Sequence, residues 1–433
     1  MNSRMLKLIA AITTFAALAI PIRAQESKQI HYSVTSLGTL GGKLGSSAHS
    51  INDRGWIAGV ANLTGDNVEH AALWRDGVVT DLGTLGGSNS NVDFPVKNNG
   101  GLIAGFAQTS AVDPLGETFC TSACNPSGGS CDGSNHSCLA FLWQNGVKEP
   151  LGTLGGNNSA ALGVNNLGIV VGTAENITQD PACMPPQVLD YKAVTWLAGR
   201  IHELPAFPGD PIAAAIGVND NDQVVGGSGN CGSGAGISPI FVHAILWQND
   251  SVTDLGSLGG SINNLAYAIN GQAQIVGASD LAGDSTGHAF LWQDGAMADL
   301  GTLTGDFSSV AFGINKNGQV VGQSCNSDFS VCRAFLWQAG AMTDLNALIP
   351  ADSSLSVISG FDINDRGEIV GIALDPNTGE PLAFLAVPCD QEHVGDQGCQ
   401  DAAQSTIGIG RPKVTLPESV RKELQHRMHF GRL

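Results

Sequence analysis

The feature that most constrains the fold of this chain is a short motif that recurs seven times. An Asn-containing turn precedes the motif in six copies, with Lys97 as the exception, and a strand-like segment ending in Trp follows it in six copies. Such self-similarity indicates a repeat architecture in which neighbouring copies share one core. Each copy contains an [Ile/Val]-[Ala/Val]-Gly tripeptide, which ends at Gly59, Gly105, Gly172, Gly226, Gly277, Gly322 and Gly371.

Each copy has the pattern of four short β-strands. The third and fourth strands are joined by turns such as Asp76-Gly77 and Asn145-Gly146, which are strong hairpin signals. Seven copies of about four strands predict an all-β chain, a seven-bladed β-propeller of four-stranded blades over residues 25–388. The last copy lacks a fourth strand, whereas residues 32–37 supply an orphan one at the other end. We therefore predict that the N- and C-terminal strands pair and close the ring; a solenoid, which would keep them apart, is the alternative.

Each copy also carries a short element that stands as His288-Ala289-Phe290, with variants such as Arg333-Ala334-Phe335. The repeat is similar to that of the HAF-repeat family of bacterial extracellular proteins, which is named for this element. The Leu-Gly-Thr-Leu-Gly-Gly and Ile-Asn…Val-Gly elements match as well, and the likeness covers residues 30–388. The resemblance implies an extracellular or cell-surface protein, and it carries over no catalytic residue.

The two ends of the chain differ from the repeat. Residues 1–24 have the basic start and short apolar run of a secretory signal peptide, with cleavage expected after Ala24. We therefore expect a secreted, periplasmic or cell-surface protein, and the ten cysteines suit such a compartment. Residues 389–433 are expected to form a disulfide loop and a basic tail, in which residues 417–429 could form a short amphipathic helix.

The charge of the chain restricts its partners. Residues 25–410 hold 11 basic and 37 acidic side chains, because nine of the 20 Lys and Arg lie in the two ends. Such a surface repels nucleic acid and anionic lipid, so we expect neither nucleic acid binding nor membrane insertion. An extracellular glycan or a surface protein is the easier partner, and we expect a monomer.

A second pattern accompanies the repeat. In five copies a cationic side chain or histidine is followed 11 residues later by an acid, which places the two on one face of a hairpin as diagonal neighbours. We predict repeated ion pairs within the blades rather than a catalytic or metal site. The five pairs are His70–Asp81, Lys192–Glu203, His243–Asp254, His288–Asp299 and Arg333–Asp344.

The cysteines lie in loops or near strand ends. We expect the pairs Cys325–Cys332, Cys389–Cys399 and Cys183–Cys231, with two local bridges among the four cysteines of the second copy. A zinc site in that group of four is the alternative, although its spacing matches no usual zinc motif. The sequence singles out no catalytic residue, cofactor or metal ligand.

Three long insertions interrupt the repeat, at residues 106–137, 173–191 and 227–242. In an up-and-down meander they all fall on one face, and variable loops on a rigid scaffold commonly form binding sites. The candidate binding residues in these loops are Glu117, His136, Asp190 and Tyr191.

These observations favour a secreted, non-catalytic protein that acts as a binding or cell-surface interaction scaffold. A propeller glycosidase or lyase acting on extracellular polysaccharide is the first alternative, and it would require converging carboxylates. A purely structural extracellular protein is the second. We regard an enzyme as the less favoured reading.

Overall fold

The computed structural model describes residues 30–66, 68–94, 98–117, 135–183, 187–231, 240–389, 399, 414–418, 420, 421 and 424. It is built almost entirely of strands. In chain order these are β1 Tyr32–Ser36, β2 Gly41–Ile51, β3 Ile57–Leu63, β4 Glu69–Arg75, β5 Val78–Asp81, β6 Gly86–Asn91, β7 Ile103–Val112, β8 His136–Gln144, β9 Val147–Pro150, β10 Ser159–Val164, β11 Val170–Gln179, β12 Leu189–Leu197, β13 Arg200–Glu203, β14 Ile212–Val218, β15 Gln223–Asn230, β16 Ile240–Gln248, β17 Ser251–Asp254, β18 Gly259–Ile269, β19 Ile275–Leu281, β20 Gly287–Gln293, β21 Ala296–Gly301, β22 Ser308–Ile314, β23 Val320–Cys325, β24 Cys332–Gln338, β25 Ala341–Asp344, β26 Ser356–Ile363, β27 Ile369–Leu374 and β28 Pro381–Pro388. A 3₁₀ turn, Leu345–Ala347, follows β25.

The strands form seven antiparallel sheets of four, arranged as a β-propeller, and the predicted fold is confirmed. Blades 1 to 6 are consecutive meanders, β2–β5, β6–β9, β10–β13, β14–β17, β18–β21 and β22–β25. Blade 7 contains β26, β27 and β28 with β1 as its outer strand, and Ser36 pairs with Phe384 in that register. The N-terminal strand therefore completes the last blade, which excludes the solenoid.

The repeated glycine is required by the close approach of the first two strands of each blade. A Cβ on Gly172 would lie 2.0 Å from the backbone oxygen of Ala160, and one on Gly226 would lie 1.9 Å from that of Ala214. No side chain tolerates such distances, so the motif records backbone packing rather than a functional site.

A bulge in the first strand of the blades fills the centre of the propeller. Ring contacts link these bulge residues around the axis, with centroids 5.1 Å apart for His49–Phe361 and for Phe312–Phe361. Tyr267 of blade 5 also stacks on Phe94 of blade 2 at 6.0 Å. The channel is therefore packed by side chains at this level. The bulges fall at His49, Leu162, Ile216, Tyr267, Phe312 and Phe361.

Three of the five predicted ion pairs within blades are confirmed. The Nδ1 atoms of His70 and His288 lie 2.8 and 3.0 Å from the carboxylates of Asp81 and Asp299, and Arg333 lies 2.9 Å from Asp344. The other two predictions are wrong, because each of these basic side chains pairs with a different acid. His243 pairs with Asp210 at 2.9 Å, and Lys192 pairs with Asp190 at 3.3 Å.

The described disulfides are the predicted ones. Cys183–Cys231 joins the insertions of blades 3 and 4, while Cys325–Cys332 and Cys389–Cys399 close local loops. Cys138 is also disulfide-bonded. The other three cysteines of the second copy lie outside the described residues. These bridges suggest an oxidising extracellular or periplasmic environment.

The basic tail packs on the propeller. Glu418, Val420, Arg421 and Leu424 are helical, and the amide of Leu416 donates to the Ser330 carbonyl at 2.8 Å. Leu416, Val420 and Leu424 are buried in the same apolar cluster as the channel residues. Among the described residues, no helix combines the length and apolarity that a membrane crossing requires.

Candidate functional site

Three carboxylates meet between blades 2 and 3, on the face that carries the insertions. Asp113 and Glu117 follow β7 in blade 2, and Glu175 lies near the end of β11 in blade 3. One carboxylate oxygen from each residue lies within 4.8 Å of the other two. All three residues are buried, with Glu117 and Glu175 fully inaccessible.

A tight turn places Glu117 in this cluster. The Asp113 carboxylate accepts the Leu115 amide at 2.7 Å, and the Gly116 amide donates to the Asp113 carbonyl at 3.2 Å. Gly116 has a φ of +73°, a conformation that glycine adopts without strain. The chain therefore turns directly after β7 and directs the Glu117 side chain toward blade 3.

Two side-chain amides connect the three carboxylates. The Asn158 amide nitrogen donates to Asp113 at 2.8 Å and to Glu175 at 3.0 Å. The Gln187 amide nitrogen donates to Glu117 at 3.2 Å and to Glu175 at 2.9 Å. These neutral donors orient the carboxylates but do not neutralise them. Among the described residues, no Lys, Arg or His forms an ion pair with any of the three.

Glu117 uses only one of its two oxygens. Its Oε1 accepts the backbone amides of Val188 and Leu189 at 2.8 and 2.7 Å, which ties the blade 2 insertion to the blade 3 insertion. Its Oε2 is buried and has no hydrogen-bond partner among the described residues. A buried acceptor without a partner costs about 1–3 kcal/mol, and more when it is charged.

The pKa of Glu175 reflects its burial and the nearby carboxylate of Glu117. Burial, and then the neighbouring Glu117 charge, raise the pKa of Glu175 to about 7, against hydrogen bonds from Gln187, Asn158 and Asn157 that lower it. Three buried carboxylates thus share a site with too little positive charge, and such a site favours a bound cation or protonation.

The four predicted binding residues lie around this junction, but they do not form one site. Glu117 belongs to the cluster. Tyr191 pairs with Glu175 across the sheet, yet its ring is buried in the core, and burial raises its pKa well above the usual value. His136 is half-buried opposite Val112, and Asp190 faces Lys192. Asp113 and Glu175 were missed by the sequence reasoning.

A second group of potential ligands lies nearby. Asp180, Cys183 and Asp190 approach one another, but Cys183 is bonded to Cys231 and offers no thiolate. Burial raises the pKa of Asp190, partly opposed by Lys192. We therefore do not regard this group as a metal site.

A Ser-His-Asp arrangement lies in the core of blade 1. The Nδ1 of His49 donates to the Val92 carbonyl, so its Nε2 accepts from the Ser47 hydroxyl at 2.5 Å, and Asp93 lies 3.9 Å away. This order of donors matches a nucleophilic triad. However, Ser47 is 5% exposed and His49 is 0% exposed, with Phe361 against the ring. We interpret it as a polar network of the core.

The opposite face carries the main cavity found among the described residues, at the mouth of the channel. It measures about 250 Å³ and is lined by the Asn turns of all seven blades. In these turns the side-chain amide of one blade donates to a backbone carbonyl of the next, as in Asn219 to Asn270 at 3.0 Å and Asn364 to Asn52 at 3.1 Å. Its lining combines Asn, Asp and Lys side chains with the aliphatic Ile51, Val218, Ile269 and Ile314, and none of its lining residues is aromatic.

No family model matches the chain, and no curated protein matches it. Similar solved structures include an acylaminoacyl peptidase of Pyrococcus horikoshii (TM-score 0.46, 12% identity, covering 78% of this chain and 50% of that one). Others are the dipeptidyl peptidase 4 of Porphyromonas gingivalis (0.37, 10%, 82% and 53%) and an aldose sugar dehydrogenase of Streptomyces coelicolor (0.35, 9%, 82% and 98%). This chain spans about half the length of the two peptidases.

These comparisons correct the predicted function. Several of the similar structures are peptidases, which contradicts the prediction of a non-catalytic interaction scaffold, and that prediction is not proposed again. The polysaccharide hydrolase or lyase and the purely structural protein are not carried forward either. At 8 to 13% identity the likeness shows the fold alone and assigns no activity to this chain.

Proposed function

We propose that this protein is an exported propeller that binds a calcium ion between blades 2 and 3. The observation that carries the proposal is the buried Oε2 of Glu117, which has no partner among the described residues and lies with two other buried carboxylates. A cation at this point would supply both the missing partner and the missing positive charge. Asp113, Glu117 and Glu175 would be its protein ligands.

The donor set favours calcium over other cations. All three candidate ligands are carboxylate oxygens, which hard cations prefer, whereas zinc and copper favour nitrogen or sulfur. Calcium accepts irregular coordination by six to eight oxygens, and magnesium requires a near-ideal octahedron. Two carboxylates from the blade 2 insertion and one from β11 suit the more tolerant ion.

The ion would act as a bridge between loops. Glu117 already holds the backbone of Val188 and Leu189, and Cys183–Cys231 continues the link from blade 3 to blade 4. A cation on Glu117 and Glu175 would complete a chain of contacts across three blades. The inserted loops would then adopt one conformation when calcium is present and become more mobile when it is absent.

Calorimetric titration of calcium chloride into the chelator-treated, purified full chain tests the proposal. We expect saturable binding that Glu175→Gln weakens at least about tenfold, since the ligand set loses one of its charges. The matched control is Asp280→Asn, because Asp280 occupies the equivalent strand position in blade 5 without the two companion carboxylates. Absent binding in the wild type, or equal binding in Glu175→Gln, would refute the proposal.

Export and family membership are part of the same proposal. The support is the leader-like start of residues 1–24, the disulfides, the acidic body and the HAF-type elements. A glycan or surface protein remains the proposed partner, and the proposed state is a monomer. N-terminal sequencing of the protein exported by a bacterial host should begin at Gln25, and an intact Met1 on a protein retained in the cytoplasm would contradict export.

A further inference from the structure

The turns at the mouth of the channel form a second ladder of hydrogen bonds, from blade to blade. At the second position of five of the seven turns, the backbone amide donates to the side-chain oxygen at the same position in the next blade. The Asp53 amide donates to Asn99 at 2.9 Å, and the Asn166 amide donates to Asp220 at 2.9 Å. The ladder therefore caps amides that would otherwise face the cavity. The remaining steps run from Asn99 to Asn166, from Lys316 to Asp365 and from Asp365 to Asp53.

The ladder is broken at blade 5. Gly271 occupies the second position there and has no side chain, so the Asp220 amide has no acceptor. The next position is Lys316, whose ammonium cannot accept, so the Gly271 amide has no acceptor either. Neither amide forms a hydrogen bond with any described residue, while five of the seven equivalent amides are capped. The break leaves a notch in the wall of the cavity, and a Cβ built on Gly271 would meet open space.

The chemistry around the notch defines what it can hold. The two uncapped amides, one from the turn of blade 4 and one from that of blade 5, require an oxygen acceptor on the ligand. The carboxylates of Asp53, Asp220 and Asp365 line the same cavity, and the ammonium of Lys316 is already paired with Asp365 at 3.2 Å. This acidic ring disfavours an anion. Each of these carboxylates already accepts hydrogen bonds from a neighbouring turn, and its remaining lone pairs can accept from ligand hydroxyls, so a group that both accepts and donates fits best.

We propose that the notch at Gly271 binds a neutral polyhydroxylated ligand of the saccharide class. One ligand oxygen accepts from the amides of Asp220 and Gly271, and neighbouring hydroxyls donate to the carboxylates of the ring. The cavity of about 250 Å³ limits the bound part to a small terminal unit. This site lies on the face opposite the calcium site and rests on different residues.

Saturation-transfer NMR with the full chain and four probes, glucose, galactose, mannose and N-acetylglucosamine, tests the proposal. We expect saturation transfer to at least one of them. Gly271→Asn should abolish it, because the new side chain fills the notch and its oxygen caps the Asp220 amide, as in the other blades. The φ of Gly271 lies outside the left-handed region, so asparagine is tolerated there. Gly152→Asn is the control, since Gly152 is also exposed, with open space for a Cβ, but lies in a blade link.

Three results would overturn the proposal. The first is no saturation transfer to any of the four sugars. The second is undiminished transfer from the Gly271→Asn variant to a sugar. The third is transfer to glucuronate in place of the neutral sugars. Calcium titration of Gly271→Asn keeps this test separate from the calcium site, because that variant should bind calcium like the wild type. If Gly271→Asn loses both sugar binding and calcium binding, it has lost its fold. The test is then made with Lys316→Ser, which also frees space at the notch. Lys316→Ser should alter the apparent affinity of the sugar, and an unchanged affinity would count against the site.

Discussion

The junction between blades 1 and 2 and the junction between blades 2 and 3 are built on the same hydrogen bonds but differ in charge. At the first, the Gln108 side-chain oxygen accepts the amides of Ser88 and Asn89 at 3.1 and 3.0 Å. At the second, a Glu175 oxygen accepts the amides of Asn157 and Asn158 at 3.1 and 2.9 Å. Gln108 and Glu175 stand three residues after the repeated glycine, so they are equivalent positions.

This comparison shows that the fold does not require a buried carboxylate at the position of Glu175. A neutral glutamine accepts the same pair of backbone amides within blade 2, so a buried carboxylate at position 175 is not needed for this contact. The second junction adds two further buried acids, Asp113 and Glu117, which share the site with Glu175. A neutral version of the same contact would avoid the cost of burying charge. The extra acids are therefore best explained by a cation, and the predictions below test that explanation.

The largest change in stability is expected when the junction between blades 1 and 2 receives a buried carboxylate like that of Glu175. Gln108→Glu places a carboxylate at a position without companion acids, so no cation is held there. We expect unfolding to require about 3 kcal/mol less free energy at neutral pH, since burial penalises the charged form. Urea unfolding with and without calcium measures it. Stability equal to the wild type, or full recovery with calcium, would show that the charge alone does not distinguish the junctions.

The next effect is the response of the second junction to calcium. At a free concentration one hundred times the dissociation constant, calcium should stabilise the wild type by about 2.7 kcal/mol. Glu175→Gln, which makes the second junction resemble the first, should lose most of that gain. Thermal unfolding of both proteins across a calcium series gives the comparison. If calcium shifts both proteins equally, the ion binds elsewhere.

The sequence predicts the architecture far better than the site. Tight turns, the repeated glycine and the orphan first strand are local features, so the seven blades and their closure follow from them. Glu117 was among the insertion residues chosen as candidates. Asp113 and Glu175 lie in the same insertions but were not chosen, because their approach to Glu117 depends on how blade 3 packs on blade 2. Alignment of Glu175 with Gln108 was a signal in the sequence that could have identified the exceptional acid.

Lys148, on the outer edge of the junction between blades 1 and 2, predicts a smaller difference in stability between the two junctions. Lys148 donates from its ammonium to the Gly83 carbonyl and lies 3.9 Å from the Phe141 ring centre. Burial lowers the pKa of Lys148 to about 8, an effect that Asp81 partly opposes. The outer strand of blade 3 has Ile201 at the equivalent position. The first junction thus contains a desolvated cation where the second has an apolar side chain.

Lys148→Met should therefore stabilise the protein by about 1 kcal/mol at pH 7, since the hydrogen bond and the ring contact offset part of the burial cost. The folded-state pKa lies below the unfolded value, so the wild type should gain stability as the pH rises from about 8 to 10.5, and the variant should lack this rise. Urea unfolding across that pH range separates the two proteins. Parallel pH profiles would mean that Lys148 is solvated, and that the two junctions differ in their carboxylates alone.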